Sequence, residues 1–86
     1  MADCLNAARK DIDSTTDGSV AIEGSPNVFV NNHEWTRLTD SHSDGATNVT
    51  GSNTVIINNL LACRLTDEQS DGSTFVDGSP NVFAGD

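Results

Sequence analysis

The chain has 86 residues, 35% of them hydrophobic, with one tryptophan, no tyrosine and a formal charge of −9. That length allows one domain near the lower limit of what folds alone, so the core needs a very regular geometry or surface supplied by a partner. The charge disfavours nucleic-acid backbones and anionic lipid surfaces as partners and is read as a solvated outer surface.

The first ten residues, Met1 to Lys10, have helix-compatible composition but no apolar h-region and no Ala-x-Ala pattern, so no signal peptide is expected. No apolar run approaches the roughly 20 residues of a membrane-spanning helix. Synthesis in a cytoplasm is expected on these two points. Cys4 and Cys63 fall at unrelated positions and are read as small thiols rather than a disulfide pair.

From there the chain repeats itself every 27 residues. Gly24-Ser25-Pro26-Asn27-Val28-Phe29 returns as Gly51-Ser52-Asn53-Thr54-Val55-Ile56 and as Gly78-Ser79-Pro80-Asn81-Val82-Phe83. Asp13, Asp40 and Asp67 share the offset, as do Asp17-Gly18, Asp44-Gly45 and Asp71-Gly72. Lys10, Arg37 and Arg64 also align without a gap, which divides the single domain 1–86 into copies at about 5–31, 32–58 and 59–86. A fixed period means one supersecondary unit used several times, each copy covering the apolar face of its neighbour.

Within a copy, the Asp-Gly segments are loops in which glycine takes positive φ. Ala21-Ile22, Asn48-Val49 and Phe75-Val76 are short strands leading back to Gly-Ser. Val28-Phe29-Val30, Val55-Ile56-Ile57 and Val82-Phe83-Ala84 are strand runs whose alternate members point inward, with either parity possible. Asn31-Asn32 and Asn58-Asn59 predict two-residue hairpin turns. The return strands run from His33 to Leu38 and from Leu60 to Leu65. The expected fold is all-β, a small three-sided cone of three pseudo-threefold repeats. Arg37, Arg64 and Lys10 are expected either to pair with Asp13, Asp40 and Asp67 or to lean their apolar stems over the sheet, and Trp35 is expected to pack.

This recurring order, Gly-Ser-x-x-Val-Phe-Val-Asn followed by Arg and Asp, resembles the PAAR-repeat family over nearly the whole chain. Asn6-Ala7-Ala8-Arg9 is close to the eponymous Pro-Ala-Ala-Arg motif, one residue out of phase with Arg37 and Arg64. The resemblance implies a sharp tip seated on the trimeric β-helical spike of a contractile injection machine, either a phage tail baseplate or a type VI secretion spike. It implies one tip per trimer, a monomer when alone, transient contact with a target cell envelope and no cargo domain.

Members of that family commonly hold a metal ion near the apex through histidines and a cysteine. The corresponding positions here are Asp17, Asp44 and Asp71, with Thr36 or Cys63 before the repeat arginine, so the usual ligand set is absent. Three readings stay open. The aspartates are exposed turn residues with no metal; His42 and Cys63 hold iron or zinc with a carboxylate; or the three carboxylates converge on a hard cation such as calcium. An EF-hand is rejected because the loop after Asp11 has its glycine at the wrong offset and no closing Glu. No Gly-x-Ser-x-Gly elbow occurs, and so small a domain leaves little room for a pocket, so no enzyme is expected. The competing class is a small calcium-stabilised β-repeat module for adhesion or binding.

Overall fold

A two-residue hairpin turn needs positive φ at both central positions, which Asn tolerates better than most side chains. Asn31 and Asn32 sit at φ 52° and 71°, and Asn58 and Asn59 at 54° and 67°. In the computed structural model, which describes residues 5–85, six two-residue strands follow from these turns and from the repeat. They are β1 (Leu5–Asn6), β2 (Phe29–Val30), β3 (His33–Glu34), β4 (Ile56–Ile57), β5 (Leu60–Leu61) and β6 (Phe83–Ala84). The Asn-Asn turns join β2 to β3 and β4 to β5, while β1 pairs with β6 across the two ends of the described chain. The three antiparallel sheets share one register, with Phe29 opposite Glu34, Ile56 opposite Leu61 and Phe83 opposite Asn6. No helix forms among the described residues, so the protein is all-β. The helix-compatible start of the chain becomes strand at Leu5, and Cys4 lies outside the described residues.

The segments exchange hydrogen bonds cyclically. Ala8 N donates to Cys63 O, Cys63 N to Thr36 O and Thr36 N to Ala8 O, at 3.1, 3.1 and 3.2 Å. A second cycle, donating in the opposite sense, runs from Lys10 N to Glu34 O, Leu38 N to Leu61 O and Leu65 N to Asn6 O. Nearer the Asp-Gly loops it recurs as bridges between Thr15 and Phe75, Ala21 and His42, and Asn48 and Gln69. Each segment therefore satisfies its backbone groups on both others, which is how six strands of two residues avoid leaving buried polar groups unpaired.

The cycle fixes the parity that the sequence left open. Val30, Ile57 and Ala84 point inward with Ala7, Trp35 and Ala62, while Val28, Val55 and Val82 pack against that cluster. Phe29, Ile56 and Phe83 therefore point out. The third strand of each copy is reduced to bridged single residues; Ala21, Asn48 and Phe75 are buried, and Ile22, Val49 and Val76 are exposed. Trp35 is buried and donates its indole N–H to Cys63 O at 2.8 Å, as a packing residue.

Return strands expected to reach Leu38 and Leu65 stop at Glu34 and Leu61. The reason is the arginine turn. Arg37 and Arg64 each grip the aspartate three residues on through two guanidinium bonds and the backbone N–H, closing a turn with Thr39 and Thr66 at φ 74° and 76°. Two parallel N–H···O contacts to one carboxylate are among the strongest polar pairings available. Lys10 departs from expectation. It is Arg9 that grips Asp13, at 2.7 to 2.8 Å, while Lys10 lies 3.5 Å from Asp11 and from Glu34. The first copy thus carries one extra residue in this turn, absorbed by Asp11 at φ 69°.

Candidate functional site

On one side of the Ala8–Thr36–Cys63 ring the interior turns polar. Asn48 donates to Thr36 Oγ1 at 3.0 Å, and its own Oδ1 meets His42 Nε2 at 2.6 Å and Gln69 Nε2 at 3.1 Å. Gln69 Oε1 accepts from Ser73, whose hydroxyl also contacts Asp71 at 2.6 Å. This relay leads from the ring to the three Asp-Gly loops, whose glycines sit at φ 85° to 90°, where L side chains are strained. There the carboxylates of Asp17, Asp44 and Asp71 come within 4.8 Å of one another, fully exposed.

Crowded carboxylates cannot all be equally acidic. Asp17 accepts from the Thr15 hydroxyl, and from the Ser19 backbone N–H and hydroxyl at 3.1 and 2.9 Å. These donors, led by Thr15, hold its carboxyl well below the ordinary range. Asp44 accepts only the Ala46 N–H among the bonds described, and its carboxyl is raised, first by its hydrogen bond with Asp17. The difference traces to the loop donors: Thr15, the leading donor to Asp17, is replaced by His42 in the second copy, and Ser19 by Ala46.

Among the described residues this trio is the group of potential metal ligands that converges, and neither His42 nor Cys63 belongs to it. His42 is 1% exposed, with Nε2 engaged by Asn48 and Nδ1 without a partner. The Cys63 thiol donates to Thr50 O at 3.4 Å, and burial pushes its pKa up, away from the thiolate that a metal ligand must be. A soft His42–Cys63 donor set is therefore not assembled. His33 lies in β3 opposite Val30, away from the carboxylates.

On the other side of the ring lie the hairpins. Residues 24–32, 51–59 and 78–85 contain no charged side chain, although the chain as a whole carries −9. From each of these strips one large apolar residue faces solvent, Phe29 at 56%, Ile56 at 61% and Phe83 at 51% exposure. The strips are held rigidly. Ser25, Ser52 and Ser79 are wholly buried, and each hydroxyl accepts two backbone N–H groups of its own turn, such as Asn27 and Val28 for Ser25. Each then donates to a neighbouring copy: Ser25 to Asn58 Oδ1, Ser79 to Asn31 Oδ1 and Ser52 to Gly85 O, at 2.6 to 2.7 Å. Gly24, Gly51 and Gly78 come so close to the adjacent strand that a Cβ would lie 2.6 to 2.9 Å from its atoms. The three serines are these latches, and their recurrence after glycine in every copy was the available signal. No protein-family model and no curated protein matches the chain.

Proposed function

We propose that the protein is a non-enzymatic tip, a three-sided cone-like β-domain that caps the end of a trimeric β-helical spike in a contractile injection machine. A phage tail baseplate is the favoured setting, with a type VI secretion spike as the related one. The observation that carries this proposal is the cyclic exchange of backbone hydrogen bonds among three segments of one chain. One polypeptide so arranged offers three near-copies of the same uncharged strip, each with one exposed apolar residue at Phe29, Ile56 or Phe83. A trimeric β-helix ends in three strand edges that need covering, and one such chain can meet all three with nearly the same contacts. The acidic loops of Asp17, Asp44 and Asp71 then face outward as a water-compatible point that meets the target envelope. The action is mechanical: a contracting sheath supplies force, and the tip supplies shape and rigidity.

Co-expression with a trimeric β-helical spike protein of a contractile injection machine tests the proposal. Co-purification that survives EGTA, with the fold unchanged, is the expected result. Loss of the fold in EGTA without any spike binding would instead identify a calcium-stabilised β-repeat binding module.

A further inference from the structure

The three sheets are built alike but are not closed alike. We infer that the joint between β1 and β6 is a seam, and that residues 78–85 form a strap that opens there as a unit while the other two sheets stay paired. Three independent observations carry this.

First, the connection differs. β2–β3 and β4–β5 are each closed by an Asn-Asn turn, whereas β1 and β6 meet from opposite ends of the described chain with the same register and no turn between them. A strand tied by a two-residue turn re-forms its pairs at once; one tied only through the rest of the fold must first close a long loop.

Second, the seam is thinly filled. Ala84 takes the inward place that Val30 and Ile57 occupy in the other sheets, while the place held by Trp35 beside β2 and β3 is alanine at the seam and beside β4 and β5 alike, as Ala7 and Ala62. Less apolar surface therefore leaves water when this sheet closes than when the Val30–Trp35 sheet does.

Third, the latch at the seam is a backbone group on the strap itself. Asn31 Oδ1 accepts from Arg9 Nη1 and Ser79 Oγ, and Asn58 Oδ1 accepts from Arg37 Nη1 and Ser25 Oγ. At the corresponding place Gly85 O accepts from Arg64 Nη1 at 2.8 Å and from Ser52 Oγ at 2.7 Å. Those two bonds part together when β6 lifts, along with Ala7 N to Val82 O and Ser79 N to Ala7 O. An opened strap bares the edge of β1, a free edge of the kind that accepts another strand.

Native-state amide exchange on the intact chain tests the seam, because the fold supplies its own controls. Trp35 and Ser25, Ala62 and Ser52, and Ala7 and Ser79 make the same two hydrogen bonds in the three sheets. Protection factors for Ala7 and Ser79 at least ~10-fold below those of the other four, with a shared dependence on denaturant, are expected of a unit that opens locally. Equal protection in all three sets would overturn the inference. Stapling the facing pair as Asn6→Cys with Phe83→Cys, the disulfide verified by mass, should bring the Ala7 and Ser79 amides up to the level of their counterparts. Seam amides that stay fast with the disulfide formed would also overturn it.

Discussion

Arg9 closes on Asp13 across four residues, whereas Arg37 and Arg64 close on Asp40 and Asp67 across three. All three aspartates are nearly inaccessible, and each carboxylate receives the guanidinium in two-pronged fashion. Arg9→Ala leaves Asp13 buried without its countercharge and should cost about 3–5 kcal/mol of stability, as expected for half of a broken buried pair. Lys10→Ala should change stability by less than about 1 kcal/mol, because its ion pairs with Asp11 and Glu34 are long, at 3.5 Å, and only half-buried. Chemical denaturation of the two variants checks which residue does the work in the first copy.

His42 Nδ1 is buried without a partner, beside a loop in which Ala46 stands where Ser19 and Ser73 place hydroxyls. In the third copy that hydroxyl meets Gln69, the counterpart of His42, at 3.1 Å. Ala46→Ser should supply the missing hydrogen bond and raise stability by about 1 kcal/mol. Thermal unfolding measures it, and a lowered midpoint would mean that Nδ1 does not face that position.

The acidic loops give a pH dependence with two opposed parts. Asp17, held low by its donors, contributes stability present above the ordinary carboxyl pKa and lost as pH falls through its folded value. Asp44, raised by Asp17, does the reverse: its protonated form is favoured in the fold, and that contribution disappears as pH rises through its raised value. Asp44→Asn should therefore raise the melting temperature at pH 7 and lose that advantage near pH 4, whereas Asp17→Asn should lower it at pH 7. High salt should shrink the Asp44→Asn gain, since the groups are exposed to screening.

Phe29 and Ile56 lie on strands whose inward neighbours, Val30 and Ile57, hold the core. Phe29→Ser and Ile56→Ser should leave the unfolding midpoint little changed while weakening the complex with a trimeric spike. A loss of roughly 30-fold in affinity apiece is expected of central apolar anchors at an interface. Titration calorimetry against the spike separates the two effects.

Much of this was legible in the residues. The all-β class, the Asn-Asn turns, the positive-φ glycines and the packing role of Trp35 rest on local signals, and local signals survive into the fold. The exceptions share one cause. The inward face of Val28-Phe29-Val30 depends on which neighbour covers it, and only the cyclic pairing decides that. Strict alignment assigned Lys10 to the arginine position because an extra residue in a turn leaves the flanking repeat intact. The aspartates at 17, 44 and 71 were legible as a set, but the inequality of Asp17 and Asp44 was not, since it arises from the Thr15 hydroxyl and the Ser19 N–H closing on Asp17 and from Asp17 pressing in turn on Asp44. The latch role of Ser25, Ser52 and Ser79 needed the neighbouring copy to be visible.

Native mass spectrometry of the chain mixed with a trimeric β-helical spike protein tests the central claim most directly. A complex of one copy with three spike chains, alongside a monomeric free protein, is the result expected of a single chain that meets three edges at once. Three copies on three spike chains, or a stable trimer of the chain on its own, would contradict it.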